Sequence, residues 1–336
     1  MLRHETVGMD ARLEAVTAQH RGFFTRGDAI DCGWNDRELA AACRGGVIRR
    51  LGQGIYSPAE IYDAADAEGR HVILAMAVLA RQRGEVALTG PSAAALHGLC
   101  LYGQDLSVVH VVRLDGGSAR QEVGVRHHVV RDDVIAHLEY KDGVALTNVA
   151  RTVWETAGLA SLEAGVVMAD SALRLYPGLS EALLELRRVF WSRPGSRGAR
   201  HALALANGKS QSAGESISRV LFFRHAVPAP ELQHEVFDAN GELIGICDFY
   251  WDEDRHVGEF DGKAKYSRYL REGETSGDAV FREKRREDGV RGELLGMSRW
   301  TWRDLMPAHS GALIRRLNSD RARSRQLYTR NRTVIA

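Results

Sequence analysis

The stretch TRGDAIDCGWNDRELAAACRGGVIRRLGQGIYSP, residues 25–58, carries the local signals of two short helices followed by a hairpin. Thr25 has the side chain of a helix N-cap, and the helix that it would begin runs to Asp31. Gly33 then stands where a tight turn is needed before a second helix over residues 37–44. The pattern predicts two helices joined by a short turn.

The second helix has clear signals at both of its ends. Either Asn35 or Asp36 caps its beginning, and the glycine pair at 45–46 ends it. Two β-prone runs around Gly52 and Gly54 then predict a hairpin. Helix, turn, helix and hairpin is the order of elements in a winged helix.

A winged helix at residues 15–60 would place its second helix in the major groove of DNA and its hairpin against phosphate. The predicted DNA contacts on these two elements are Arg37, Arg44, Arg49 and Arg50. The alternative interpretation is a small α+β cap whose arginines are only solvated.

The charge of the chain is balanced overall but segregated along its length. There are 45 Lys and Arg against 44 Asp and Glu in 336 residues, and a near-zero net charge normally argues against a nucleic-acid partner. Residues 311–336, predicted as a basic C-terminal tail, hold seven arginines and one acid, Asp320. Residues 187–209 hold six Lys or Arg and no acid. Because positive charge is concentrated locally, a nucleic-acid partner remains compatible with the near-zero net charge.

The cellular compartment follows from cysteine usage and hydropathy. Four cysteines without a C-x-x-C pair are typical of reduced thiols. The N-terminus is charged and lacks the apolar core of a signal peptide. The longest apolar run, residues 72–80, is too short to span a bilayer. We expect a cytoplasmic protein without a membrane partner.

Residues 65–206 are predicted to form a mixed α/β domain that acts as a scaffold or interaction surface. Ser92 is expected to cap a helix through Leu99, on which His97 is a packed or capping histidine. The adjacent histidines at 127–128 point to opposite faces of a strand and cannot both bind one metal. The spacing of residues in this block matches no catalytic constellation.

Residues 210–310 predict a helix packed against a three-stranded meander. A helix over residues 215–225 precedes strand runs that are separated by the Asn240–Gly241 turn and by a polar turn at 252–255. The acids of the second turn, Asp252, Glu253 and Asp254, are interpreted as solvated. Period two predicts one face with Ile244, Ile246, Asp248 and Tyr250 on the middle strand, and one with Val257, Glu259 and Asp261 on the next.

If these faces coincide, the carboxylates of Asp248, Glu259 and Asp261 converge on an apolar surface. Such carboxylates repel one another, and a hard divalent cation is the usual way to neutralise them. A Mg²⁺ ion, or Mn²⁺, held there can activate a hydroxide and stabilise a pentavalent phosphate. The residues expected to assist are Glu215 from the helix and Lys263 or Lys265.

A charged helix over residues 279–294 and the strand MSRWTW follow. Solvated charge is the usual meaning of such a helix. Beside an acidic metal site, basic residues also suit a polyanionic backbone. The DNA contacts predicted on this helix are Lys284, Arg285 and Arg286.

Residues 212–306 resemble the C-terminal domain of a large actinobacterial group related to very-short-patch-repair endonucleases. This group lies within the PD-(D/E)XK restriction-endonuclease-like superfamily. The matching pieces, in order, are the helix glutamate, DFYW from Asp248, GEFDGK, EKRRED and RWTW. The resemblance implies a restriction-endonuclease-like α/β/α core that hydrolyses DNA phosphodiesters with Mg²⁺. It makes Glu215 the helix carboxylate, Asp248 the central metal ligand and Glu259 the second ligand.

One position departs from the pattern of that superfamily. Asp261 occupies the place of the lysine in (D/E)-x-K, and Lys263 lies two residues further on. Three alternatives follow: a shifted D-x-K motif, an E-x-D site, or a degenerate site that binds DNA without cutting it.

Residues 20–206 look like the AbiEi-type antitoxin or transcriptional-regulator family of type IV toxin–antitoxin systems. The matching motifs are GFFTRGDA, RRLGQGIY, SAAALHGL and NVARTV. The resemblance implies a winged helix that binds DNA, commonly at its own promoter, followed by a mixed α/β domain. It also implies a toxin partner encoded nearby.

Two functions follow from these observations. The leading prediction is a DNA-binding protein with a Mg²⁺-dependent endonuclease domain. The alternative is a non-enzymatic regulator or antitoxin with a degenerate nuclease fold. A homodimer is a further expectation, because winged-helix proteins often dimerise.

Overall fold

The computed structural model describes residues 10–82, 84–115, 121–129, 134–262 and 276–329. The chain divides into two compact units, each described here by itself. Unit 1 comprises residues 1–160 and 178–199, and unit 2 comprises residues 161–177 and 200–336. Among the helices of these described ranges, none is long and apolar enough to cross a membrane.

Unit 1 begins with a winged-helix-like arrangement around one small core. Its elements are α1 (Ala11–Gln19), β1 (Phe24–Thr25), α2 (Arg26–Asp31), α3 (Asp36–Arg44), β2 (Ile48–Gly52) and β3 (Ile55–Pro58). The strands form a sheet in the order β1-β3-β2, with β2 and β3 as the predicted hairpin. The core includes Leu13, Phe24, Trp34, Leu39 and Ile48.

The first helix of the predicted pair starts as its sequence indicates. Thr25 is the N-cap of α2, and its hydroxyl accepts from the backbone N–H of Asp28 while the Asp28 carboxylate accepts from the backbone N–H of Thr25. Gly33 has a φ of 92°, which glycine adopts without strain. The predicted cap and turn are confirmed.

The rest of unit 1 is a mixed sheet with helices. Its elements are α4 (Ala59–Ala64), α5 (Ala67–Leu79), β4 (Val86–Leu88), α6 (Gly90–Leu96), β5 (Val109–Arg113), β6 (Gln121–Glu122), β7 (Val125–His128), a 3₁₀ turn (Ile135–His137), β8 (Leu138–Lys141), β9 (Val144–Thr147) and α7 (Val149–Leu159). The six strands lie in the order β6-β7-β5-β4-β9-β8, so the mixed α/β prediction is confirmed.

The cap predicted at Ser92 is wrong. Helix α6 begins at Gly90 after Thr89, because Pro91 fits the first helical turn, and it ends at Leu96. The Ser92 hydroxyl instead accepts from the backbone N–H of His110 at 2.8 Å. His97 follows the helix and is buried, with Nε2 2.8 Å from the Thr147 carbonyl oxygen, as expected of a packed histidine.

Three helices follow in the chain: α8 (Leu162–Leu175), α9 (Leu179–Phe190) and α10 (Ser196–Leu205). The division into units places α8 in unit 2 and α9 in unit 1, and it passes through α10. In unit 1, Trp154 of α7 stacks on Phe190 of α9, with ring centroids 5.5 Å apart. In unit 2, Asp170 of α8 forms an ion pair with Arg219 at 2.7 Å.

Unit 2 is built on a four-stranded sheet. Its further elements are α11 (Ala213–Arg224), β10 (Glu231–Phe237), β11 (Leu243–Trp251), a 3₁₀ turn (Asp252–Asp254), β12 (His256–Asp261), α12 (Ser276–Gly292), β13 (Gly296–Thr301), α13 (Trp302–Leu305) and α14 (Pro307–Tyr328). The strand order is β10-β11-β12-β13, with β10, β11 and β12 antiparallel and β13 parallel to β12. The predicted helix and meander are confirmed, and α12 and β13 extend them.

The stretch predicted as a basic tail is helical as far as residue 328. Helix α14 buries Leu313, Ile314 and Leu317, whose spacing makes one apolar face. Its arginines 321 and 325 both form ion pairs with Asp254, at 2.5 Å each. Asp254 has 1% of its surface exposed, so the interpretation of this acid as solvated is wrong.

A buried histidine joins α14 to the sheet of unit 2. His256 Nδ1 lies 2.8 Å from Ser324 Oγ, and its Nε2 lies 3.0 Å from Ser298 Oγ. Burial lowers the pKa of His256 to about 4, because desolvation disfavours the charged imidazolium. The imidazole is therefore neutral in the folded chain at neutral pH.

Acid is expected to destabilise the protein partly through His256. The unfolded chain takes up this proton near pH 6.5 and the folded chain only near pH 4, so stability falls as the pH falls through this window. One such histidine lowers the free energy of unfolding by about 1.4 kcal/mol between pH 7.5 and pH 5.5. Urea unfolding at both pH values should show a smaller loss for His256→Gln than for the wild type. The exposed His309→Gln is the control, and equal losses in the wild type and His256→Gln would contradict the assignment.

Candidate nucleic-acid interface and carboxylate site

Helix α3 begins at a reciprocal cap. Asn35 Oδ1 accepts from the backbone N–H groups of Arg37 and Glu38, at 3.0 and 3.1 Å. The Glu38 carboxylate in turn accepts from the backbone N–H of Asn35 at 2.8 Å. Of the two predicted caps, Asn35 is the one that the structure uses.

The exposed side of α3 carries a narrow basic stripe. Leu39 and Ala42 are buried in the core of the winged helix. The opposite side exposes Arg37, Ala40, Ala41 and Arg44. Among the described residues, neither arginine forms an ion pair with a carboxylate. Two small residues between two such arginines leave room for a close approach of another molecule.

One acid next to this stripe, Asp36, is already neutralised. Arg26 at the start of α2 makes two hydrogen bonds to the Asp36 carboxylate, both at 2.7 Å. This contact lowers the pKa of Asp36. Asp36 therefore does not cancel the positive charge of the stripe, and the ion pair links the first turns of α2 and α3.

The two arginines of the hairpin differ in their surroundings. Arg49 is paired with Asp63 of α4, with Nε 3.1 Å and Nη2 2.5 Å from its carboxylate oxygens. Arg50 is exposed, and its Nε donates only to the Gly52 carbonyl oxygen, at 3.3 Å. Of the two predicted phosphate contacts, Arg50 is the one whose charge no described acid balances.

In unit 2, Glu259 is buried and held by two arginines. Arg286 Nη2 of α12 lies 2.6 Å from Glu259 Oε1, and Arg299 Nη2 of β13 lies 2.9 Å from Oε2. Arg286 was predicted as a DNA contact, but its guanidinium is engaged here. Lys284 and Arg285 on the same helix are exposed.

Asp248 is bound to the backbone of the neighbouring strand. Its Oδ2 accepts from the Phe260 N–H at 2.8 Å. The predicted alternation of β11 does not hold across this residue, because Cys247 and Tyr250 lie in the same core cluster. His234, paired with Cys247, stacks on Tyr250 with centroids 3.9 Å apart. Gln233, which the register places opposite Asp248, has a φ of 55°, so the pairing is irregular here.

Glu215 lies in the first turn of α11 and is buried. Its carboxylate accepts from the Gln211 N–H and the Ser212 hydroxyl, both at 2.8 Å. It also accepts from Gln233 Nε2 at 3.1 Å. These bonds complete the N-terminal cap of the helix and connect it to β10.

The remaining members of the predicted metal site are Asp261 and Lys263. Asp261 is half-buried at the end of β12, and Lys263 lies outside the described residues. In the described ranges, no group of three or more His, Cys, Asp or Glu residues is placed to hold a metal ion. The carboxylate oxygens of Glu215 and Glu259 already have protein donors. As arranged, these residues do not fit a divalent cation.

The chain is similar to a known protein family and to two mycobacterial proteins. Residues 11–59 match the family model described as transcriptional regulator, AbiEi antitoxin. Two proteins of Mycobacterium tuberculosis, Uncharacterized protein MT2308 of strain CDC 1551 / Oshkosh and Uncharacterized protein Rv2248 of strain H37Rv, are each 30% identical over 230 residues. Each match covers 67% of this chain and 78% of the relative. The chain belongs to the family of these mycobacterial proteins. It carries an AbiEi antitoxin or transcriptional-regulator domain at its N-terminus.

The solved structure of the RV2827C protein from Mycobacterium tuberculosis is also similar. It is 16% identical and has a TM-score of 0.36, and the match covers 68% of this chain and 88% of that one. A likeness of this size carries no argument about fold or function.

The basic stripe of α3 thus lies in the AbiEi domain, as the sequence predicted. Two residues that matter to the two sites were not predicted from sequence. Arg26 neutralises Asp36, and Arg299 binds Glu259. The alternation of the strand SRWT held a signal for Arg299, since its buried neighbours Ser298 and Trp300 place it on the other face. The partner of Arg299 is set by the sheet register, which the sequence does not show.

The cap of α3 should contribute measurably to the stability of the AbiEi domain. Asn35→Ala removes the acceptor of two backbone N–H groups and is expected to lower the free energy of unfolding by about 1 kcal/mol. Asn35→Ser keeps a capping oxygen and serves as the matched control. Denaturant unfolding of the three proteins measures the effect, and equal losses for both variants would argue against capping.

Proposed function

We propose that the protein is a DNA-binding transcriptional regulator that reads duplex DNA with helix α3 and the β2–β3 hairpin. The observation that carries this proposal is the exposed stripe of Arg37 and Arg44, whose charges no described carboxylate balances. The match of residues 11–59 to the AbiEi regulator family supports it independently.

The dimensions of α3 suit a major groove. Arg37 and Arg44 are seven residues apart, about 10 Å along the helix axis, which corresponds to roughly three base pairs. Arginine binds guanine through two hydrogen bonds, and alanine contacts the thymine methyl group. Arg50 on the hairpin is placed to bind backbone phosphate, which positions the domain without reading sequence.

A toxin partner is a further part of this proposal, because the N-terminal domain is of the antitoxin type. A nucleotidyltransferase-like toxin encoded by a neighbouring gene would support that role. We do not extend the proposal to metal-dependent cleavage of DNA by unit 2, since two arginines hold Glu259 and Asp248 accepts from the backbone N–H of Phe260.

Removing the basic stripe should weaken DNA binding strongly. Arg37→Ala and Arg44→Ala are each expected to weaken binding to the upstream region of the protein's own gene by about 10-fold or more, because each loses a contact worth about 1–3 kcal/mol. Arg50→Ala should weaken binding to all sequences similarly and reduce the salt dependence. Fluorescence anisotropy at several salt concentrations measures both effects.

Arg49→Ala provides the comparison on the same hairpin. Since Arg49 is paired with Asp63, its removal should reduce affinity less than that of Arg50. Arg315→Ala, an exposed arginine of unit 2, controls for the loss of one charge. Unchanged affinity in both Arg37→Ala and Arg44→Ala would exclude α3 as the recognition helix.

A further inference from the structure

The face of the sheet that α12 covers holds a buried carboxylate in an interior strand. Glu259 has 9% of its surface exposed, and its strand β12 lies between β11 and β13. An ionised carboxylate is stable at such a place only when opposite charge and hydrogen bonds replace the lost water. Arg286 and Arg299 provide both, one on each oxygen.

Strand pairing places Arg299 at Glu259. In the parallel register of β12 and β13, Glu259 lies directly beside Arg299. The two side chains therefore share one face of the sheet. Arg299 also lies 3.2 Å from Glu287 of α12, so it connects the strand to the helix.

Two glycines allow α12 to bring Arg286 to the same carboxylate. A Cβ at Gly245 would lie 2.9 Å from Arg286 Cδ, and one at Gly289 would lie 2.9 Å from Ile244 Cγ2. The stem of Arg286 thus passes close over β11 at Gly245, where a larger residue would require it to shift.

The two guanidiniums bound to Glu259 oppose the binding of a cation there. Arg286, Arg291 and Arg299 form ion pairs with Glu259 and Glu287. A divalent cation would have to displace a guanidinium from Glu259.

We infer that Arg286 and Arg299 occupy the place that the nuclease resemblance assigns to a divalent cation. Together with Glu259 they form an arginine lock, which fastens α12 and β13 to β12. The lock binds neither Mg²⁺ nor Mn²⁺, and unit 2 is a nuclease-like sheet that does not cleave DNA. This inference concerns unit 2 and is independent of DNA binding by the AbiEi domain.

Metal titration of the full chain tests the first part. Calorimetry with Mg²⁺ or Mn²⁺ should show no saturable binding, and millimolar metal should not raise the unfolding temperature. Binding of one ion per chain that is lost in Glu259→Gln would overturn the inference. So would nicking of plasmid DNA that is lost in both Asp248→Ala and Glu259→Ala. The calorimetry and the unfolding temperature of the wild type can be measured whether or not the variants fold.

A double-mutant cycle tests the lock itself. Glu259→Gln leaves two arginines without their carboxylate and should lower the unfolding temperature by roughly 5 °C. Arg286→Met should lower it less, since Arg299 still pairs with Glu259. The double variant should resemble Glu259→Gln alone, because Arg286 has already lost its carboxylate partner in that variant.

The control for the cycle is Arg224→Met, which breaks a more exposed ion pair with Glu163 in the same unit. Its unfolding temperature should change by no more than about 1–2 °C. Additive losses in the double variant, or an unchanged unfolding temperature in Glu259→Gln, would contradict the lock.

Discussion

The neutralisation of Glu259 in an interior strand is the interaction on which the sheet of unit 2 depends. A buried carboxylate with one partner removed is far less stable than an intact pair, so Arg286 and Arg299 constrain the elements that carry them. Helix α12 must lie close to β11, and β13 must pair with β12 in the register that brings Arg299 to Glu259. One charge in the middle of the sheet thereby links two strands and a helix.

In the AbiEi domain, ion pairs at the surface change the surface charge and add little to stability. Two of its acids near the basic elements are held in ion pairs, Asp36 with Arg26 and Asp63 with Arg49. Such exposed pairs add little stability, because water screens them. Their effect is on the charge of the surface, since Arg37, Arg44 and Arg50 form no ion pair with a carboxylate among the described residues. A binding surface for a polyanion can therefore arise in a chain whose net charge is only +1.

Much of the fold could be predicted because its signals are local. The cap at Thr25 and the glycine turn at Gly33 each depend on a few neighbouring residues, and the structure has both. The two-residue turn predicted at Asn240–Gly241 is part of a longer loop, residues 238–242, between Phe237 and Leu243. Ser92 misled because serine is also a good internal hydrogen-bond partner, and here it serves the buried histidine His71 and the backbone of His110. Asp254 misled because its partners lie on α14, about 70 residues further along the chain.

At the carboxylate site of unit 2, local sequence likewise predicted some features and missed others. The period-two alternation correctly placed Val257 and Glu259 on one face of β12. It did not hold along β11 for the predicted face around Asp248, because the strand pairing is irregular there. Sequence alone determined the winged-helix elements, the basic stripe and the strands that carry the acids, since caps, turns and periodicity act over a few residues. Only the tertiary structure decided that arginines hold Glu259 and that Asp248 bonds to Phe260, because charge pairing across a sheet depends on register and on helix packing.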